Sequence, residues 1–111
     1  MVKTIALIKK KAGISREEFI MYYEEVHAPL ALKHLPMIKK YTRNHIFKNP
    51  AIEGPDFDCI TELWLDSNAD VKKLLNFVQS DAGKVIRDDE EKFLDRENTK
   101  FIMVDEKISI I

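Results

Sequence analysis

A short stretch centred on His27 holds the residues whose types could do proton chemistry. An unperturbed imidazole titrates near neutral pH, which a general base requires. His27 precedes Pro29, where a helical pattern should be interrupted and a side chain could turn toward a cavity. The alternative is structural, with the ring bonding a carbonyl freed at the Pro29 break. Tyr41 could lend a phenolic hydrogen to a carbonyl or enolate oxygen, or it could be an ordinary half-buried strand aromatic. Glu62 and Trp64 stand two apart and so share one face of a strand. Facing a cavity, Trp64 would stack a flat ligand and Glu62 would be a buried carboxylate with a raised pKa. Facing another subunit, Trp64 would pack and Glu62 would need a cation such as Arg43 or a lysine. Both orientations are open at this stage.

The other reactive types are sparser. Cys59 is the one cysteine, which excludes an intrachain disulfide. It has no basic neighbour in sequence to activate it. His27 and His34 are seven apart but separated by Pro29, and no Cys/His/carboxylate cluster has metal-ligand spacing. There is no glycine-rich phosphate loop and no GxSxG elbow.

These residues need elements to hold them. The β-branched, apolar run Val2–Lys9 reads as a strand. Ser15 with Glu18 forms a capping-box signature for a helix that buries Phe19, Tyr22, Tyr23, Val26 and Leu30. Pro29 has no N–H, and it pushes Ala28 away from helical angles. The expectation is a break at His27–Ala28 and a second helical piece from Pro29 to about Leu35. Residues 37–48 read as a second strand and 57–65 as a third, joined by a loop holding Pro50, Gly54 and Pro55. A helix from Asp66-Ser67-Asn68 carries Val71, Leu74, Leu75 and Val78. A continuation capped by Ser80 or Asp81 carries Val85, Ile86, Phe93 and Leu94, and residues 99–106 form the last strand. The order βαββαβ is an α+β, ferredoxin-like plan: a four-stranded antiparallel sheet with the helices on one face.

The strands are apolar on both faces. Leu63 and Leu65 oppose Ile60 and Trp64, Phe101 and Met103 oppose Ile102 and Val104, and Ile5 and Leu7 oppose Ala6 and Ile8. Two helices cover one face only, so a second copy packed sheet to sheet is expected.

The chain has 111 residues, 45% hydrophobic and 33% charged, with a net charge of −1. One domain over residues 1–111 fits that length. The near balance of charge gives no footprint for nucleic acid. The runs Lys9-Lys10-Lys11 and Asp88-Asp89-Glu90-Glu91 read as solvated faces. No signal-peptide or membrane-span pattern is present, and the expected compartment is the cytoplasm.

The run Phe19-Ile20-Met21-Tyr22-Tyr23-Glu24-Glu25-Val26-His27-Ala28-Pro29-Leu30, then Leu35-Pro36 and Lys40-Tyr41, resembles the EthD-domain pattern. Glu62-Leu63-Trp64-Leu65-Asp66 and Asp89-Glu90-Glu91-Lys92-Phe93-Leu94-Asp95 extend the resemblance over nearly the whole chain. The resemblance implies a dimeric α/β barrel with a mostly apolar cavity in each subunit and no cofactor. Relatives include cofactor-independent lactone isomerases, polyketide cyclases and dehydratases, and accessory proteins of ether or aromatic degradation. The muconolactone-isomerase-like relatives place acid/base candidates at positions that correspond to His27 and Tyr41. Haem-degrading dimeric barrels share the topology but use a histidine on the second helix, and residues 69–94 contain none. Two functions follow as expectations. One is proton transfer on a small carbonyl, lactone or polyketide-like compound. The other is a non-catalytic accessory or stress-associated dimer that binds a small organic ligand.

Overall fold

The computed structural model describes residues 1–111. Four strands, β1 (Val2–Ile8), β2 (Lys40–His45), β3 (Cys59–Leu65) and β4 (Lys100–Val104), form one antiparallel sheet in the order β2-β3-β1-β4. Four helices pack on it: α1 (Arg16–Tyr22), α2 (Ala28–His34), α3 (Asn68–Gln79) and α4 (Lys84–Glu90). This is the expected α+β, ferredoxin-like architecture, with strands a few residues shorter than their sequence patterns.

Local chemistry explains the element ends. The capping box forms as read: the Ser15 hydroxyl accepts from the Glu18 N–H at 3.0 Å, and the Glu18 carboxylate accepts from the Ser15 N–H at 3.3 Å. Ser67 caps α3, and Ser80 caps the short 3-10 turn Asp81–Gly83 that leads into α4. Gly83 lies so close to the end of α3 that a Cβ there would fall 2.0 Å from the Phe77 carbonyl oxygen. The Arg87 guanidinium donates to the carbonyls of Val78 and Ser80, which closes the same corner.

The expected break at His27–Ala28 does not occur. Ala28 keeps helical angles, φ −62° and ψ −46°. The chain passes from α1 to α2 through one π-helical turn, Tyr23–His27, in which the Ala28 N–H donates to the Tyr23 carbonyl five residues back. Widening the turn changes the hydrogen-bond register without straightening the backbone. Pro29 then sits in the first turn of α2, where its missing N–H is tolerated.

Strand register sorts the side chains. Thr4, Leu63 and Tyr41 lie in one cross-strand row, and Ile5, Glu62 and Thr42 in the next. The first row faces the helices and the second faces away. The interior forms two clusters. One gathers Ile8, Phe19, Tyr23, Ala28, Cys59, Phe93 and Leu94, and the other Ala31, Leu35, Leu65, Val71 and Leu74. Tyr41 packs against both. No helix is long and apolar enough to cross a membrane.

Candidate functional site

Between the two clusters the helices and sheet leave a cavity of about 210 Å³, with 15 of its 19 lining residues hydrophobic. Both clusters contribute walls, through Phe93 and Leu94 on one side and Leu35 and Leu74 on the other. Leu75 and Phe101 line it and are also exposed, so the mouth lies between α3 and β4. The polar groups that reach the cavity are few: His27, Tyr23, Tyr41, Thr61, Glu90 and Thr99.

His27 is 7% exposed and has a partner that the sequence did not disclose. Its Nδ1–H donates to Asp89 Oδ2 at 2.8 Å, from the π turn to α4. Asp89 is itself 6% exposed, and its other oxygen accepts from the Tyr22 hydroxyl. The expectation of a wholly solvated acidic run therefore fails at Asp89. The physical reason is helix phase: Asp89 stands three residues after buried Ile86 and four before buried Phe93, on the stripe that faces the core.

This bond fixes the imidazole. With Nδ1–H given to a carboxylate, Nε2 keeps its lone pair. Nothing in the protein bonds Nε2, yet the fully enclosed polar atoms without partners are Thr4 Oγ1 and His45 Nδ1 only. Nε2 escapes that state because the ring borders the cavity. Phe93 holds the ring from the side, at 4.7 Å between centroids. Burial pushes the His27 pKa below its ordinary value, and Asp89 opposes that shift without cancelling it. The site thus holds a neutral imidazole near neutral pH.

Tyr41 reaches the same cavity from β2. Its hydroxyl lies 2.9 Å from the Tyr23 hydroxyl, which lies 2.6 Å from Thr61 Oγ1. The Tyr41 hydroxyl donates to the Tyr23 hydroxyl, and rotation about its phenolic C–O bond would turn that hydrogen to a ligand oxygen in the cavity. Burial pushes the Tyr41 and Tyr23 phenols upward, so both stay protonated. Arg43 steadies Tyr41 from outside, 4.6 Å over its ring, and pairs with Glu24 at 2.7 Å. The hydrogen bonds from Arg43 hold the Glu24 carboxyl down at about 2, against the opposing effect of burial.

Glu62 and Trp64 do not join this group. Both lie on the outward face of the sheet. Glu62 pairs with Lys3 and accepts from Asn44 at 2.8 Å, which keeps its pKa below the usual range rather than above it. Trp64 donates to Glu106 at 3.0 Å, between Lys3 and Lys40, each 4.6 Å over its ring. Cys59 is buried, and burial raises its thiol to about 11. No group of three His, Cys, Asp or Glu side chains is arranged to hold a metal ion.

Glu90 is a cavity residue that sequence reasoning missed. Its available signal was the same helical stripe that carries Asp89, masked by four consecutive acidic residues.

The comparisons agree on the fold. The EthD domain family matches residues 11–97. An EthD-family protein from Bacillus halodurans has 24% identity and a TM-score of 0.72, over 96% of this chain and 99% of its own. A protein from Arabidopsis thaliana has 15% identity and a TM-score of 0.69, over the whole of both chains. A protein from Bacteroides fragilis, described as dimeric, of unknown function and ferredoxin-like in fold, has 15% identity and a TM-score of 0.61 over 93% of each chain. No curated protein matches the sequence.

Proposed function

The chain belongs to the EthD-domain family, and on that premise we propose that it binds a small organic ligand in the cavity and moves a proton on it. His27 is the general base, oriented by Asp89. Tyr41 donates to the ligand oxygen on which charge builds. The reaction class is cofactor-independent isomerisation, cyclisation or dehydration of a carbonyl, lactone or polyketide-like compound.

The observation that carries this reading is the division of labour on one ring. Nδ1 is committed to Asp89 at 2.8 Å, while the ring borders an apolar cavity that Tyr41 also lines. A base and an oxygen-side donor around one volume are the minimum that proton abstraction beside a carbonyl needs. Apolar walls exclude water and strengthen both interactions.

The working unit in this proposal is a cytoplasmic homodimer of single-domain subunits. The outward sheet face carries Ile5, Leu7, Ile60, Trp64 and Ile102 beside Lys3, Lys40 and Glu62. A second copy would bury the apolar rows, and polar residues at their margin would set its register.

The test uses ring opening of nitrobenzisoxazole, a reaction begun by removing one C–H proton and read by the coloured phenolate it releases. The protein should accelerate it beyond free imidazole, and His27→Gln should abolish the gain while keeping the melting temperature. A gain unchanged in His27→Gln would remove His27 as base. Ligand binding without any acceleration would leave the accessory, non-catalytic reading.

A further inference from the structure

Glu90 has no part in the His27–Asp89–Tyr41 arrangement, yet it lines the same cavity. It is the last residue of α4, and its backbone is held in place. Its backbone carbonyl accepts from the N–H groups of Phe93 and Leu94, at 3.2 and 2.8 Å. Consecutive residues of a helix point about 100° apart. Asp89 therefore turns toward His27 while Glu90 borders the cavity beside it. The Glu90 carboxyl forms neither a hydrogen bond nor an ion pair with the protein. Glu90 is half-buried, so its carboxyl is partly withdrawn from water with no protein group in its place, and a hydrogen bond to a ligand would offset part of that loss.

The charged and titratable neighbours can be named from each side. Arg87 and Asp89 lie on α4, and Glu91 and Arg96 on the segment that follows. His27 and Tyr23 face the cavity from the π turn, and Tyr41 from β2. The lining residues of β1, β3 and β4 are uncharged. Burial raises the Glu90 pKa, Asp89 and Glu91 add to the rise, and Arg96 and Arg87 oppose it without reversing it.

We propose that Glu90 selects the ligand: its carboxyl donates a hydrogen bond to a ketone, ester or ether oxygen of the bound compound and turns away carboxylates. This rests on the reading of the cavity as the ligand site. It adds a second recognition point, apart from the one at His27 and Tyr41. The favoured ligand is then a neutral compound with an apolar body and two separated oxygen functions. A carboxylate would bring a charge into a cavity that no cation lines, and it would meet a like charge once Glu90 ionises. As pH rises through the raised Glu90 pKa, the donor is lost and a partly desolvated anion appears, so affinity for neutral oxygen ligands falls.

The experiment titrates para-methoxyacetophenone and para-methoxybenzoate into the protein by nuclear magnetic resonance, following the Thr61 and Ala31 methyl groups from acid to alkaline pH. The ketone should bind with affinity that falls by about tenfold as Glu90 ionises, and the benzoate should bind at least about tenfold more weakly wherever it is itself ionised. In Glu90→Gln, whose amide donates at every pH, ketone affinity should no longer fall as pH rises. His27→Gln should keep the pH dependence, so loss of the proton-transfer reading would leave this one standing. Ketone binding in the Glu90→Gln variant that falls with pH as in the unsubstituted protein would overturn the assignment, as would benzoate binding equal to the ketone. If neither probe binds, the cavity's role as ligand site fails together with it. If Glu90→Gln fails to fold, the Glu90 carboxyl carbon signal decides: titration in the ordinary glutamate range overturns the proposal.

Discussion

Asp89 and His27 are 62 positions apart in the chain and 2.8 Å apart in space, one on α4 and the other in the π turn. The carboxylate also accepts from Tyr22, so one buried group ties the first helical segment to the last. It orients the imidazole and anchors a tertiary contact at once.

Asp89→Ala strips both partners of their acceptor. His27 Nδ1–H and the Tyr22 hydroxyl would be left unpaired near the core, at a cost of about 2–4 kcal/mol. Urea unfolding should show the loss, and the His27 pKa should fall further because burial would act unopposed. Stability within about 0.5 kcal/mol of the unsubstituted protein would mean that the contact contributes little.

Pro29→Ala should leave the fold intact while altering the His27 environment. The π turn accommodates a residue that cannot donate, and alanine restores a donor there. Changed His27 ring resonances in a protein of similar melting temperature are the expected outcome. Identical His27 signals would show that the π turn owes nothing to the proline.

Acid stability should depend on Glu24. Its folded pKa, about 2, lies below the ordinary 4.5, so its pairing with Arg43 and His45 stabilises the native state fully above 4.5. That contribution is lost as pH falls from 4.5 through about 2. His27, also lowered, adds a loss that begins below 6.5. Glu24→Gln should flatten the lower part of the acid limb in a series of urea melts, and an unchanged limb would contradict the assignment.

Trp64→Glu should dissociate the proposed homodimer. The indole lies between Lys3 and Lys40 on the outward sheet face, amid the apolar rows a second copy would cover. Sedimentation should move from about twice 13.0 kDa toward 13.0 kDa. A monomer before substitution, or a dimer unaffected by it, would remove this face from assembly.

Much of the scaffold was legible because each signal was local. Ser15 and Glu18 lie one turn apart, and the apolar rows of β1 and β3 follow the pleat. The helix break was misread for a related reason. Pro29 forbids one α-helical hydrogen bond, but the chain resolved this by bonding Ala28 to Tyr23, a register that residue preferences do not encode. His27 and Tyr41 came from the resemblance to the EthD-domain pattern, with which their residue types are compatible, and both line one cavity. Asp89 and Glu90 were hidden by composition, since four acidic residues in a row look solvated. Ile86 and Phe93, at helical spacing around them, carried the evidence that two would turn inward. The direction in which Glu62 and Trp64 point depended on strand register, which Thr4, Leu63 and Tyr41 set by facing the helices.

The nitrogen-15 resonances of the His27 ring report whether Asp89 holds a neutral imidazole with its Nε2 lone pair turned to the cavity. At neutral pH the ring should carry a proton on Nδ1 and none on Nε2, and it should titrate below the ordinary histidine value of 6.5. A proton on Nε2, or an imidazolium that persists above 6.5, would contradict that arrangement.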